Sequence, residues 1–440
     1  MRFSRRCMAV AAFAAAFASA SGGGSGGRAG LALAADTPLA PENDASTATS
    51  PPPADQSPFG EKYYPAITPT RHRPLMSLLD RSGLADPLED ARINIFGYVE
   101  ASFQANFMDP AGDINAGRVF DFEQNKQFLF NQFDLAAERT VVADGDQWDL
   151  GGRVEFIVGE DARFLHANGL GDSQDFFNGP DVQFDLLQAY ADIAVPVGTG
   201  LRVRVGKFLF FKQVDPNASV FYTHSFTFGG ALPYTLTGAS ALYNLNDKWS
   251  VEAGINRGWD QALTDNNGMI SLHGRVRHTV NDRTSYALMA IIGPENDDNK
   301  TWGGQFDFVI SHKASDQLTL LGDAVFGFQP DAQQFNAGGG TTDASWYGVA
   351  GYAVYRLNDQ YSLGGRAEWY RDSGGFTTGL DQNLFEVTGG VTITPFPHHE
   401  IGSNLKVRPE LRYDYSTENF FDGLTEQHQV TFAVDVIFNF

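Results

Sequence analysis

The chain has 440 residues, with 31 Lys and Arg against 53 Asp and Glu, a net charge of −22 and a single cysteine. Because clustered cations are needed to bind phosphates, so acidic a chain argues against a nucleic-acid partner. The lone cysteine, Cys7, excludes a disulfide framework within the chain and a zinc site built from cysteines. The 47 glycines and 36 phenylalanines, beside few lysines, favour a protein of many strands and turns.

The N-terminal residues have the pattern of a secretory signal peptide. Three arginines among the first six residues precede an apolar run that ends in Ala18-Ser19-Ala20. We expect residues 1–20 to be cleaved, with an alternative cleavage site near Ala35. Either cut removes Cys7, and the first leaves 28 basic against 53 acidic residues, a net charge of −25. An amphipathic helix at the start of a cytosolic protein is the alternative interpretation.

Residues 36–92 have the composition of a linker. They begin with a stretch rich in Pro, Ala, Ser and Thr, which predicts a disordered or extended periplasmic arm. Between Arg71 and Asp90, leucines at near-helical spacing predict a short helix, interrupted at Gly83. A contact between this arm and the peptidoglycan is left open.

Strict alternation of apolar and polar residues predicts strands from Ile93 to Phe440. In the last of them, every second residue from Val430 to Phe440 is apolar. After residue 35 no run approaches the ~18–20 apolar residues of a transmembrane helix. About sixteen such segments, within a range of 14–18, begin near residues 93, 128, 148, 184, 201, 236, 249, 269, 284, 302, 318, 345, 361, 383, 404 and 428. We therefore predict an all-β fold, a transmembrane antiparallel up-and-down β-barrel over residues 93–440.

The connections between these segments alternate in length. Long ones such as Lys212 to Thr235 follow the odd-numbered segments, and short ones such as Asn244 to Lys248 follow most even-numbered segments. An outer-membrane barrel has this asymmetry, with long external loops and short periplasmic turns. A soluble exported β-protein is the alternative, and it does not explain the alternation.

The chain ends in an apolar, alternating strand that closes on Phe438 and Phe440. We interpret these two residues as an assembly signal for the outer-membrane barrel assembly machinery; an ordinary edge strand is the alternative. The location that follows is the outer membrane of a Gram-negative-type bacterium, with membrane lipid around the barrel.

Several short motifs resemble the OmpL-like family of β-barrel porins. They are Gly97-Tyr98-Val99-Glu100-Ala101-Ser102, Asn131-Gln132, Gly159-Glu160-Asp161-Ala162, Gln188-Ala189-Tyr190 and Gly206-Lys207-Phe208. The resemblance spans about Leu84 to Phe440, and after Phe208 the run Leu209-Phe210-Phe211-Lys212 is bulkier than expected. It implies an outer-membrane barrel that passes small solutes, and it carries over no catalytic residue.

Charged residues on the polar faces of the strands are the candidate pore-lining residues. The basic candidates are Arg202, Arg204, Arg275, Arg277, Arg366, Arg408 and Arg412, and the acidic ones are Glu100, Asp134, Glu155, Asp192, Asp323, Asp414 and Asp435. One hypothesis is that they form opposed patches across a constriction. The other is that neighbours such as Arg408, Glu410 and Arg412 pair with each other and keep the wall rigid.

The connection Lys212 to Thr235 is a candidate for a loop folded into the pore. Phe221 and Tyr222 are too apolar for a surface loop, and Asp215 and His224 add charge near the narrowest point. The connection Gly159 to Gln183 competes for this role, and either one could instead pack on the rim or mediate trimer contacts.

The sequence predicts no catalytic, metal or cofactor site. Adjacent histidines on a strand face opposite sides, so His398 and His399 are not expected to share an ion. The function predicted first is passive diffusion of ions and small hydrophilic solutes with a modest cation preference, with a homotrimer left open. A structural barrel that anchors the envelope through its N-terminal arm is the alternative.

Overall fold

The computed structural model describes residues 74–170, 181–210, 219–229, 232–297, 300–333 and 341–440. The predicted signal peptide with Cys7, the alternative cleavage site, most of the linker and Asp215 lie outside these residues. The limits of the predicted N-terminal regions therefore stay predictions.

Sixteen antiparallel strands form one closed barrel, in which each strand pairs with its neighbours in sequence and β16 pairs with β1. This confirms the predicted fold class and strand number. The strands are β1 (Ile93–Asn106), β2 (Gln127–Arg139), β3 (Asp149–Gly159), β4 (Gln183–Val195), β5 (Leu201–Leu209), β6 (Thr235–Asn244), β7 (Trp249–Asn256), β8 (Ser271–Asn281), β9 (Thr284–Pro294), β10 (Trp302–Lys313), β11 (Leu318–Gln333), β12 (Thr341–Arg356), β13 (Tyr361–Ser373), β14 (Gln382–Ile393), β15 (Leu405–Ser416) and β16 (His428–Asn439).

Between residue 74 and the barrel, where the structure describes the chain, two short helices pack beside β1. Helix α1 spans Pro74–Arg81 and α2 spans Ala85–Asp90, and Gly83 between them takes a positive φ of 75°. Met76 of α1 is fully buried. A third helix, α3, is the single turn Phe226–Gly229. None of the helices in the described residues has the length and apolar character needed to cross a membrane.

The two faces of the strands differ as the alternation predicts. On β15, Leu411 and Tyr413 face outward with 53% and 43% of their surface exposed, whereas Arg412 and Asp414 face inward and are fully buried. Charged side chains that face a barrel interior are buried only when other groups fill that interior. The connections between strands supply these groups.

Part of the inward face is apolar. Met289 and Ile291 of β9 and Leu321 of β11 form one cluster with Phe210 and Phe221 from the β5–β6 connection. The sequence predicts charged side chains on the inward face of the strands, but on β9 to β12 hydrophobic side chains occupy much of that face. In the sequence, β9 shows this by having apolar residues on both of its faces.

Candidate functional site

Residues 219–229 leave the β5 side of the barrel and lie against β13 and β15, about half the barrel away in strand order. We call these residues the inserted segment. Phe221, Tyr222 and His224, the predicted constriction residues that the structure describes, belong to it and are all buried. The segment thus crosses the interior of the barrel.

Three arginines of the opposite wall bind peptide carbonyl groups of the inserted segment. Arg408 donates to Ser219 O at 2.5 Å, and Arg366 donates to Thr223 O at 2.7 Å. Arg412 donates to the carbonyl oxygen of His224.

Two carboxylates between these arginines bind the amide groups of the same segment. Glu410 accepts hydrogen bonds from the N–H of Tyr222 at 2.7 Å and of Thr223 at 3.2 Å. Glu368 accepts from the N–H of Phe226 at 2.6 Å and of Thr227 at 2.5 Å. We call Arg366, Glu368, Arg408, Glu410 and Arg412 the ionic wall. It holds the segment by its main chain through charge-assisted hydrogen bonds, the stronger kind.

Each arginine of the ionic wall is also paired with a carboxylate. Arg366 lies 2.7 Å from Glu386, Arg408 lies 2.5 Å from Asp435 and 3.8 Å from Glu100, and Arg412 lies 2.7 Å from Asp414. Such pairing offsets the cost of burying the charges. Arg408 has its partners on β16 and β1, Arg412 has Asp414 on its own strand, and Glu410 binds the inserted segment.

A second stretch, residues 115–125 of the β1–β2 connection, also folds inward. Arg118 lies 2.6 Å from Asp121 and 2.7 Å from Asp414. The ring of Phe120 packs edge-on against His224 at 5.2 Å. Sequence reasoning missed this stretch, although Phe120 and Phe122 give it an apolar character of the kind that identified the inserted segment.

A chain of buried polar side chains joins these loops at Tyr222. The Tyr222 hydroxyl donates to Gln124 Oε1 at 2.8 Å and accepts from Asn131 Nδ2 at 3.1 Å. Asn131 and Gln132 also donate to Asp161, at 3.1 and 2.9 Å. We call Gln124, Asn131, Gln132, Asp161 and Tyr222 the latch.

Burial dominates the electrostatics of the two titratable groups in the latch. It raises the pKa of the Asp161 carboxyl to about 7, against the hydrogen bonds from Gln132 and Asn131, which favour the ionised form. Burial also raises the pKa of Tyr222 well above its ordinary value, so its hydroxyl stays protonated.

The other predicted basic residues form a separate group on β5 and β8. Arg202 and Arg204 share the carboxylate of Asp192, at 3.2 and 2.8 Å. Arg275 lies 2.6 Å from Glu252. Arg277 is half-buried on the same inward face of β8. The side chains of Arg204 and Arg275 keep 11% and 19% exposure, more than those of the ionic wall.

The remaining predicted acids are buried inside the barrel. Glu155 of β3 pairs with Arg153 at 2.8 Å, and Asp323 of β11 accepts from the Thr227 hydroxyl at 3.3 Å. Asp134 of β2 pairs in register with Tyr98 of β1. Across the described residues, no three His, Cys, Asp or Glu side chains are grouped to hold a metal ion.

The model of the family described as "Putative beta-barrel porin-2, OmpL-like" matches residues 92–440. The chain belongs to this family. The protein is therefore an outer-membrane channel of the porin type. A comparison with curated proteins gives no match.

Solved outer-membrane porins have the same fold as this porin. The outer membrane channel DcaP of Acinetobacter baumannii is 12% identical with a TM-score of 0.52, and the match covers 79% of this chain and 97% of that chain. An anion-selective porin from Comamonas acidovorans is 10% identical with a TM-score of 0.50, covering 79% and 99%. OprB of Pseudomonas putida is 13% identical with a TM-score of 0.50, covering 82% and 97%. At these identities the likeness shows the fold alone.

The short motifs of this porin meet around the inserted segment. Asn131-Gln132 and Asp161 build the latch, and Tyr98 donates to Gln132 Oε1 at 2.6 Å. Gly159, two residues before Asp161, has a φ of 155°. A Cβ at this position would lie 2.0 Å from the carbonyl oxygen of Asn131, so the close approach requires glycine. Motifs far apart in sequence thus serve one local structure.

The remaining motifs hold the point where the β5–β6 connection begins. Gln188 Oε1 accepts from the amide of Leu209 at 3.0 Å, and Lys207 lies 3.1 Å from Asp185. The guanidinium group of Arg204 lies 3.6 Å from the centre of the Tyr190 ring. The bulky Phe210 that follows is buried in the apolar cluster, which accounts for the departure from a small polar run.

The C-terminal residues close the barrel. Phe438 is on the outward face of β16 and pairs with Val99. Phe440 exchanges both main-chain hydrogen bonds with Gly97, at 2.9 and 3.0 Å, and its ring stacks on Phe133. A Cβ at Gly97 would meet the Phe440 ring at 3.0 Å and the Asp134 carbonyl at 2.0 Å.

Proposed function

We propose that this porin lets ions and small hydrophilic solutes diffuse across the outer membrane, and that the inserted segment narrows its lumen. The observation that supports this most directly is the hold of the ionic wall on the main chain of residues 219–227. A segment held across the interior reduces the cross-section that solutes can use. The groups that then set selectivity are those left beside it on the inward face.

We further propose a modest cation preference. The arginines of the ionic wall are buried, paired with carboxylates and occupied by peptide carbonyls, so they offer little positive charge to a passing ion. The whole chain carries a net charge of −22, which raises the local concentration of cations at the channel mouths. Arg204 and Arg275 oppose this preference because they keep some exposure.

The test is a recording of the purified protein in a planar lipid bilayer across a potassium chloride gradient. We expect single-channel conductance and a reversal potential with the sign of cation selectivity. A clear anion preference would overturn the selectivity, and the absence of any conductance would overturn the channel function.

A matched pair of variants sharpens this test. The double variant Arg204→Gln and Arg275→Gln removes two inward positive charges and should shift the reversal potential further toward cations. Arg283→Gln, in the exposed β8–β9 turn, is the control and should leave it unchanged, because screening at about 8 Å in physiological salt isolates distant surface charges.

The partners we propose follow from the same function. They are outer-membrane lipid around the barrel, the barrel assembly machinery that reads Phe438 and Phe440, and the diffusing solutes. We propose export by a cleaved signal peptide and, as the assembly to test first, a homotrimer.

A further inference from the structure

The latch connects four separate elements of the barrel through the Tyr222 hydroxyl and the Asp161 carboxylate, which Asn131 joins. Tyr222 comes from the inserted segment, Gln124 from the β1–β2 connection, Asn131 and Gln132 from β2, and Asp161 from the turn after β3. Gln124 also donates to Ser102 of β1 at 3.1 Å. The Tyr222 side chain is thus tied to β1 and β2, whereas its main chain is bound by β15.

The ionic wall binds the main chain of Tyr222, and the latch binds its side chain. Glu410 takes the Tyr222 amide at 2.7 Å, and the latch takes its hydroxyl at 2.8 and 3.1 Å. The wall bonds are to peptide groups, which every residue has. The latch bonds are to a phenol oxygen, which among the twenty residues only tyrosine has.

We propose that Tyr222, whose hydroxyl is held by Gln124 and by the Asn131 amide that Asp161 anchors, is the positioning residue that fixes the inserted segment in the lumen and so determines the steadiness of the open channel. This inference rests on the proposed channel function. Release of the latch leaves the segment held by the ionic wall and by the packing of Phe221 and His224, without the bonds that fix the Tyr222 hydroxyl, and the channel current then fluctuates as the segment moves.

The charged surroundings of Asp161 predict how pH acts on the latch. Glu100 of β1 and Glu160 of the same turn disfavour its ionised form, Arg163 favours it, and the Tyr222 phenol stays neutral. Its pKa lies at about 7 in the packed protein against 3.8 for a free aspartate. In the released state we expect Asp161 to be open to water, with its pKa lowered toward that free value. The packed state then binds the proton more tightly than the released state, so the free energy that holds the segment falls as pH rises from about 4 to about 7.

The test is single-channel recording of the full-length protein and of Tyr222→Phe, which removes one oxygen atom. Loss of two hydrogen bonds should raise the population of the displaced segment by about tenfold, seen as added open-channel noise and subconductance steps. A Tyr222→Phe channel as quiet as the wild type at pH 5 and pH 8 would overturn the proposal.

Asp161→Asn separates positioning from a general structural role. The wild type should be noisier at pH 8 than at pH 5, and Asp161→Asn should show a smaller dependence on pH, because the carboxylates of the ionic wall remain. Asp316→Asn is the matched control, since Asp316 lies in the β10–β11 turn with 85% of its side chain exposed. If Asp161→Asn kept the wild-type dependence, the latch would not be the origin of it.

The outcomes distinguish this inference from the function on which it rests. No conductance from the wild type overturns the channel function itself, whereas conductance with unchanged noise in Tyr222→Phe overturns only the latch. If a variant fails to assemble, amide hydrogen exchange of residues 219–229 in Asn131→Ser replaces it. Exchange no faster than in the wild type would then overturn the proposal.

Discussion

Side chains that bind peptide groups determine where the inserted segment lies. Glu410 receives two amide hydrogens of the segment, and removing it would leave the amides of Tyr222 and Thr223 buried and unpaired. A hydrogen bond to a charged group contributes ~1.5–3 kcal/mol, and an orphaned buried donor costs a similar amount.

For Glu410→Ala we expect the packed state of the segment to lose about 2 kcal/mol, which speeds amide hydrogen exchange of residues 219–229 about 30-fold. Mass spectrometry of the exchanged protein measures this. Glu400→Ala, at an exposed position in the β14–β15 turn, is the control. Equal protection in both variants would show that Glu410 does not hold the segment.

Phe440 is the residue at which we test the assembly signal. Its ring stacks on Phe133 and covers Gly97, so Phe440→Ala removes contacts at the seam between β16 and β1. We expect less folded barrel in the outer membrane, measured as the fraction that changes migration on heating. Phe396→Ala, in an exposed turn, is the control. Full assembly of Phe440→Ala would contradict the hypothesis that Phe440 is part of the assembly signal.

At the scale of residues, the sequence predicts which face of a strand a side chain lies on, but not which group that side chain binds. Strict alternation is enough to place Arg408, Arg412 and Asp435 inside the barrel, because successive side chains of a strand point to opposite sides. It cannot show that Arg408 binds a carbonyl 189 residues away. That contact depends on the path of a connection, which has no periodicity.

At the scale of elements, the sequence predicts the strands well. It predicts only in part which connections fold into the lumen. The predicted starts of β5, β7 and β13 are those of the structure, because each follows a tight turn with Gly, Asn or Asp. Aromatic content predicts that the connection after β5 folds into the pore, and Phe221 and Phe226 of the inserted segment are buried. Phe120 and Phe122 in residues 115–125 did not lead to the same prediction, and the motif at Asp161 does not show that Asn131 joins it to Tyr222.

A deletion tests what the inserted segment does as a unit. Joining residue 218 to residue 229 through a short Gly-Ser linker removes the residues that the ionic wall and the latch hold. We expect a larger single-channel conductance than in the wild type. A variant shortened in the periplasmic turn, residues 396–401, should conduct normally. Unchanged conductance after deletion of the segment would place the constriction elsewhere.

At the scale of the whole molecule, the barrel and the N-terminal arm are separable in sequence. The family model begins at residue 92 and leaves the arm unmatched. Since the sixteen strands close without it, the barrel should assemble on its own. The alternative function, an anchor for the envelope, assigns the arm the main role.

Deleting residues 36–73 from the full precursor distinguishes these two functions. We expect unchanged conductance and an unchanged shift on heating in a gel, because no strand is removed. Weaker attachment of the outer membrane to the cell wall with normal conductance would add an anchoring role. Loss of conductance would show that the channel depends on the arm.

The main-chain hold of the ionic wall has a consequence for protein engineering. Arg366, Arg408 and Arg412 bind carbonyl oxygens, and Glu368 and Glu410 bind amide hydrogens, so most of the grip does not depend on which side chains residues 219–227 carry. The segment can therefore serve as an exchangeable insert in a constant frame. Redesign for a chosen solute would keep Tyr222 and the packed rings of Phe221 and Phe226 and change the other side chains, while the sixteen strands stay as they are.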